Sequence, residues 1–364
     1  MKRVIFTVTN DLSYDQRMIR ICTSMAQNGY SVTLVGARLK QSLPLQSRNF
    51  KQKRLFTPFG KGFGFYAGYN ISLFFYLLFS KAEIVCCIDT DTMLPVWLAS
   101  SIKNCTRVYD AHEYFSQQKE IISRPRIYRV WHAIEKRFIP KFKNGYTVSE
   151  SIADAFKELY AVQYSVIRNM PLLQETTASG PVNERYILYQ GAVNEARGLE
   201  FLIPAMKQVD AQLLIYGDGN FMAQTKALIN ENNLRDKVLC KGKLLPEELE
   251  KITALAYIGI NLVENNGLNQ YYSLANKFFD YIHAGVPQLS MNFPEYRRIN
   301  EQYEVAWLVD DLRTDTLVNA LNQLLKDESL HQRLKQQCEA ARRVFNWQEE
   351  EKTLIRFYNN LEQQ

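Results

Sequence analysis

The sequence predicts an α/β protein made of two Rossmann-like halves in tandem. Short apolar runs alternate with longer amphipathic segments through roughly the first 110 residues, which is the pattern of βαβ units and a parallel sheet. A stretch of small and polar residues at 174–181 (QETTASGP), closing on Gly180 and Pro181, interrupts that alternation. It then restarts and continues to residue 290. A chain of 364 residues has room for two domains, since domains usually run to roughly 100 to 200 residues. With 46% apolar and 12% aromatic residues it can fill two cores, which excludes disorder, collagen and coiled coil.

The first strand is expected at 4–8 (VIFTV). Ser13 and Gln16 have the spacing of a capping box and predict a helix start. Met18, Cys22 and Met25 then share one face, and Asn28-Gly29 supplies the stop. Strands follow at 31–35, 83–88 and 106–109, and the last two end in Asp89-Thr90-Asp91 and Asp110-Ala111-His112-Glu113. Open α/β sheets bind ligands outside the carboxyl ends of their strands, so these acids and His112 are site candidates. A helix follows Ser149, and 166–167 leads to Arg168-Asn169-Met170-Pro171. These signals place a first domain at 1–173, a linker at 174–181 and a second domain at 182–345.

In the second half, strands are expected at 186–189, 212–216, 237–240, 258–263 and 288–290. Helices are expected at 199–209, 221–230, 247–256 and 274–284. The tail 346–364 carries Trp347, Leu354, Phe357 and Leu361 at helical spacing, an amphipathic helix that needs a surface to cover.

The charge balance, 44 Lys plus Arg against 38 Asp plus Glu, leaves +6 spread along the chain. A nucleic-acid module would show a dense basic face instead. Six cysteines lack metal-like spacing and read as buried reduced thiols. The N-terminus is too short in apolar residues and too polar afterwards for a secretory signal, so the expected location is cytoplasmic. The longest apolar run, 71–79 (ISLFFYLLF), is nine residues, against about 20 for a spanning helix. Lys51, Lys53, Arg54 and Lys61 precede it, interleaved with Phe56, Phe59, Phe63, Phe65, Tyr66 and Tyr69. Residues 51–79 therefore suit a peripheral contact with an anionic membrane at its inner face, or a core-facing helix preceded by a loop.

Four stretches are candidates for chemistry. Gly191 to Gly198 (GAVNEARG) joins a strand to a helix, a turn in which backbone N–H groups and the helix dipole favour an anion and Arg197 adds a bidentate donor. Gly217-Asp218-Gly219 is a tight turn and no dinucleotide fingerprint, because Met222 stands where a third glycine is required. In 269–287, Ser273 and Asn276 precede Lys277, and Asp280 lies three residues later on the same helix face. That pair reads as a nucleoside-diphosphate grip, the cation for the diphosphate and the carboxylate for ribose hydroxyls. The plain alternative is a surface ion pair. Asp89-Thr90-Asp91 has the form of a metal-chelating D-x-D; acceptor contact or helix capping is preferred, and no metal is expected.

Taken together, SLANKFFDYIHAGVP, GAVNEARGLE, VSESI with its downstream RNMP, YDAHEYF and NWQEEE resemble the GT-B glycosyltransferases of family 4, especially the bacterial branch that builds surface polysaccharides. The resemblance covers nearly the whole chain. It implies two Rossmann-like domains facing across a cleft, with the acceptor on the first, the nucleotide sugar on the second, and the last helix, 346–364, crossing back onto the first. It also implies retaining, metal-independent transfer of a sugar from UDP or GDP, with no cofactor, to a glycan or lipid-linked acceptor. Arg197 falls at the family's lysine position and Asp280 at the second glutamate of its E-x7-E motif. Ala192 stands in place of the family's arginine and Tyr272 in place of its first glutamate, and Lys277 is positioned to restore the lost charge. Gly191, Gly217, Gly242, Lys243, Ser273 and Asn276 complete the expected donor side. His112 resembles the family's active-site histidine, which hydrogen-bonds the transferred sugar, and Asp110 and Glu113 flank it. Asn10, Asp15, Arg17, Asp89, Asp91 and Glu113 form the expected acceptor side. A nucleotide-sugar epimerase of the same architecture and a non-catalytic nucleotide-sugar-binding protein are the alternatives.

Overall fold

The computed structural model describes residues 1–13, 15–174 and 185–361. All of the expected linker 174–181 except Gln174 lies outside them. The chain divides into two compact units, Met1–Asn169 with Glu350–Gln364, and Met170–Glu349.

The first unit contains seven strands: β1 (Arg3–Thr7), β2 (Ser31–Ala37), β3 (Lys51–Leu55), β4 (Ile84–Ile88), β5 (Thr106–Ala111), β6 (Asn144–Thr147) and β7 (Ser165–Val166). They pair in parallel in the order β3-β2-β1-β4-β5-β6-β7. Every residue of β4 is buried, as an apolar run in the middle of a parallel sheet must be. The edge strand β3 reads Lys-Gln-Lys-Arg-Leu and is mostly accessible. A polar edge strand lacks the apolar run that marks a buried one, so nothing in the sequence marks β3 as a strand.

The first helix is Gln16–Gln27, and its cap is Asp15, whose Oδ1 accepts the Met18 N–H at 3.0 Å. Ser13 does not cap it; its own N–H turns to Asp11 Oδ1 at 2.9 Å. Met18, Cys22 and Met25 are fully buried on its inner face.

Residues 71–79 are only the second half of one 18-residue helix, Gly62–Phe79. Glycines hid its first half. They serve close packing: a Cβ on Gly64 would stand 3.0 Å from the Phe59 ring, and one on Gly68 3.2 Å from Pro58. Length therefore does not keep this helix out of a bilayer, since Gly62–Phe79 has the length and composition of a span. Phe65, Tyr69, Leu73 and Leu77 nevertheless pack into the unit, and the Tyr69 hydroxyl donates to the Val8 carbonyl at 2.5 Å.

The second unit contains β8 (Tyr186–Gln190), β9 (Gln212–Tyr216), β10 (Val238–Gly242), β11 (Ile258–Asn261), β12 (Gln288–Met291) and β13 (Ala306–Val309). They are parallel, in the order β10-β9-β8-β11-β12-β13. Beyond residue 290 the structure adds β13 and the helices Pro294–Gln302, Thr314–Lys326 and Glu328–Ala341. In both sheets the strand order reverses beside the first strand, between β1 and β4 and between β8 and β11.

The final helix, Trp347–Asn360, belongs to the first unit from Glu350 onward. Tyr358 is fully buried there, edge-on to Phe6 at 5.9 Å and to Tyr146 at 6.3 Å. Leu354 is buried as well. Trp347 departs from the expected stripe: it lies in the second unit, its N–H donating to the Pro171 carbonyl at 2.8 Å.

Candidate functional site

In the first unit, the carboxyl ends of β4 and β5 bring together a buried line of charges. Asp110 is inaccessible; Arg17 Nη2 donates to its Oδ1 at 3.1 Å, and its Oδ2 lies 3.0 Å from His112 Nε2. Burial opposes ionisation of Asp110, but Arg17 and His112 outweigh it and hold the carboxyl below its ordinary value. Burial likewise disfavours the His112 cation, and the Asp110 carboxylate more than restores it, so the imidazole titrates above its usual value. Arg17 is thus a buried support for Asp110 and not an exposed lining residue.

Asp89 begins the turn after β4 at φ 55° and ψ 176°, a conformation that costs a non-glycine residue about 1–3 kcal/mol. Its Oδ1 accepts the His112 N–H at 2.9 Å, which ties the two strand ends together. Asp91 Oδ2 accepts from Thr9 Oγ1 at 2.6 Å. Burial raises both carboxyls, Asp91 to about 6 and Asp89 well above its usual value. Among the described residues, no group of three or more His, Cys, Asp or Glu is placed to hold a metal ion.

The remaining first-half candidates lie at the margin. Asp15 is a helix cap, Asn10 Nδ2 reaches its Oδ2 at 3.4 Å, and the exposed Glu113 accepts from Gln118 Nε2 at 2.6 Å. Sequence reasoning missed Glu135. Its inaccessible carboxylate accepts from the Ser116 N–H at 2.9 Å, Tyr160 Oη at 3.2 Å and Thr90 Oγ1 at 3.4 Å. It therefore braces the segments that follow Asp89 and His112. A lone glutamate in a helix that also carries Arg126, Arg129, Lys136 and Arg137 gives no sequence signal of burial.

In the second unit, the loops after β8, β9 and β10 close on one another. Gly191 N–H donates to Tyr216 O at 3.0 Å and Gly217 N–H to Gly242 O at 2.8 Å. Gly217 has φ 149°, and a Cβ there would lie 1.8 Å from the Gly191 carbonyl oxygen, so no other residue fits. The helix opened by the Gly191 loop is short, Leu199–Ala205, and Glu200 Oε1 already accepts the Ala196 N–H at 3.2 Å. That cradle is partly filled by its own chain.

The stronger anion site is the cation pair beside it. Lys277, in the first turn of the helix Asn276–Ala284, places Nζ 4.0 Å from the Tyr189 ring centroid, buried and without a hydrogen-bond partner. Burial and the nearby Arg197 lower it to about 7, against the pull of Asp280. Lys277 and Asp280 form no surface ion pair: Asp280 Oδ2 accepts from Gln190 Nε2 at 3.1 Å, and Gln190 Oε1 accepts from Thr253 Oγ1 at 2.7 Å. Ser273 Oγ turns to Gln270 O at 3.0 Å, while the exposed Lys243 lies 3.8 Å from Asp218. The other histidines are held in packing: His283 bonds Phe345 O at 2.7 Å, His331 bonds Tyr257 O at 2.9 Å, and His132 stacks on Tyr128.

Residues 177–341 match the family model described as glycosyl transferases group 1. No curated protein matches the sequence significantly. Among solved structures, sucrose-phosphate synthase from Thermosynechococcus elongatus superposes with a TM-score of 0.85 at 17% identity, over 99% of each chain. HepE from Anabaena in complex with UDP gives 0.75 at 13%, over 99% of this chain and 100% of that one. WaaG, a glycosyltransferase involved in lipopolysaccharide biosynthesis, gives 0.69 at 15%, over 94% of each. At such identities the likeness establishes the fold, which is GT-B.

Two outcomes follow from the electrostatics. Asp110→Asn removes the charge that favours the His112 cation, so the imidazole titration followed by NMR should move to lower pH; an unmoved midpoint contradicts the pairing. The same change leaves Arg17 buried and uncompensated, at a cost of about 3–5 kcal/mol. Lys277 predicts proton-linked anion binding. A diphosphate requires the charged amine, so above the free value of about 7 binding should take up a proton, and affinity should fall by up to about tenfold per pH unit. Calorimetry in buffers of different ionisation enthalpy reads the uptake, and Lys277→Met should abolish it.

Proposed function

We propose that this protein is a retaining, metal-independent glycosyltransferase of the family 4 type, moving a sugar from UDP or GDP to a glycan or lipid-linked glycan in polysaccharide biosynthesis. The observation that carries this reading is the pairing of Arg197 with the buried, unpartnered amine of Lys277 at the β8/β11 reversal, inside a group 1 domain. A leaving diphosphate develops charge as the bond from the sugar's anomeric carbon breaks, and preorganised cations in a dry site stabilise that charge. In retention, the acceptor oxygen bonds the anomeric carbon on the face from which the diphosphate departs, and the acceptor proton passes to the phosphate oxygen. Asp280, steadied by Gln190, lies one turn beyond Lys277, where a carboxylate accepts from ribose hydroxyls. The UDP in the HepE complex favours a uridine donor. In the first unit, the His112 cation and the Asp89 and Asp91 carboxyls suit a hydroxyl-rich substrate.

The reading extends to a cytoplasmic enzyme seated on the membrane's inner face. Phe63, Ile71, Phe75 and Phe79 are 53% to 87% exposed on one ridge of the helix Gly62–Phe79, and Phe56 and Phe59 are exposed before it. Lys51, Lys53 and Lys61 are exposed alongside. Arg54 leaves this set, because its guanidinium bonds Asp11 at 2.5 Å in the interior.

Two experiments test these statements. Incubated with a panel of nucleotide sugars and no acceptor, the protein should hydrolyse one donor slowly, and Arg197→Ala and Lys277→Met should each weaken nucleoside-diphosphate affinity about 10- to 100-fold. Isomerised sugar identifies an epimerase instead, and binding without turnover to any added glycan identifies a binding protein. Sedimentation with phosphatidylglycerol vesicles should decrease with salt and in Phe63→Asp/Phe79→Asp; failure of the wild type to sediment overturns the membrane reading alone.

A further inference from the structure

We propose that the second unit carries a glycan-binding groove, separate from the diphosphate grip, which holds neutral sugar residues of an elongated chain across the carboxyl ends of β12 and β13. The proposal rests on the glycosyl-transfer reading above, and adds a substrate surface that the reaction itself does not require.

Two cavities, of about 430 Å³ and about 480 Å³, share Asp310 and Asp311 in their walls, so they are adjoining parts of a depression at the end of β13. Neither is lined by Gly191, Arg197, Lys277 or Asp280. Because β13 is the edge of its sheet, no further strand closes the depression on that side, and a ligand longer than one sugar can run out of it.

The chemistry fits a polyol. A sugar ring presents an apolar C–H face and a rim of hydroxyls that both donate and accept. Aromatic rings suit the face, and carboxylates, amides and guanidinium groups suit the rim. The first cavity is lined by the half-buried Tyr271, backed by the buried Phe293 with ring centroids 5.0 Å apart, and the second by the half-buried Trp307. Between them the polar groups are already held in place. Arg297 donates through Nε to Asn292 Oδ1 at 2.8 Å and through Nη2 to Asn292 O at 3.1 Å, and Asn292 Nδ2 donates to Asp310 Oδ1 at 2.6 Å. This chain ties the end of β12 to the end of β13 and fixes a guanidinium, an amide and a carboxylate in one row.

Charge excludes the competing ligands. The lining carboxylates of Glu264, Asp310 and Asp311 outnumber the guanidinium groups of Arg297 and Arg313, and no lysine lines either cavity. A phosphate or an anionic lipid would meet net repulsion, and an acyl chain would bury these charged groups without partners. A neutral, hydroxylated chain satisfies them.

The test uses the full chain on an array of neutral oligosaccharides of graded length, without nucleotide sugar, together with Trp307→Ala and the exposed-site variant Arg297→Ala. Binding should strengthen with length and fall about tenfold in either variant, while UDP or GDP affinity stays unchanged. Absence of binding to every oligosaccharide, equal binding by wild type and both variants, or capture of basic peptides instead overturns the proposal. Donor turnover without oligosaccharide binding removes the groove and leaves the transferase reading intact. Oligosaccharide binding that both variants weaken, with no donor ever turned over, removes the transferase reading and leaves the groove as a glycan-recognition site.

Discussion

The reversal of winding beside the first strand of each sheet is the constraint from which both candidate sites follow. Parallel strands connected by crossovers on opposite sides of β1 and of β8 leave a crevice at their carboxyl ends, and the loops there must turn tightly to clear it. The first unit meets that demand with Asp89 at φ 55°. The second meets it with Gly217, packed against the Gly191 carbonyl too closely for any side chain. Strain and close approach are tolerated at these ends because the central strands behind them are fully buried.

The two crevices treat charge in opposite ways. In the first, Arg17, Asp110 and His112 neutralise one another over hydrogen-bond distances of 3.1 and 3.0 Å. Asp110 is the shared partner, so its removal leaves Arg17 buried without its counter-charge, while loss of either cation leaves the other paired. In the second, Lys277 has given up water for a tyrosine face and no hydrogen bond. Contact with the ring recovers roughly 0.5–2 kcal/mol of that loss, and the depressed titration records what remains. Such a cation is costly in the free protein and is relieved by an anion. A site built this way favours the ligand state in which most negative charge develops, which is the requirement for stabilising a leaving diphosphate.

The alternation of apolar runs made the central strands of both sheets legible, because buried parallel strands carry their signal in a run of consecutive apolar residues. What escaped was whatever lacked that signal. The edge strand β3 is polar, β6 opens on Asn-Gly, the edge strand β13 is half-accessible in its middle, and the helix Gly62–Phe79 begins on glycines that ordinarily break helices. The candidate site was legible as residue types at strand ends, and the structure brings His112 to Asp110 and Lys277 to the neighbourhood of Arg197. Partnership was not legible. Arg17 belongs to Asp110 across 93 positions, Arg54 to Asp11 across 43, and Glu135 braces two strand-end turns from a helix whose surface is basic. Pattern within a window reports burial and period, and it is silent on which distant side chain completes a buried charge.

The departures at Ala192 and Tyr272 gain a physical meaning from this geometry. A chain that resembles family 4 enzymes but lacks their arginine after the glycine would be short of one cation, yet a lysine one helix away is buried, unpartnered and close enough to Arg197 to be depressed by it. Asp280 is shorter than a glutamate by one methylene, and Gln190 holds it in place. From the end of β8 it is anchored by the Thr253 hydroxyl on one side and donates to the carboxylate on the other. That contact fixes the carboxylate on the helix face that also carries Lys277, one turn away. The helix Asn276–Ala284 thus presents a buried cation and an anchored carboxylate from a single element.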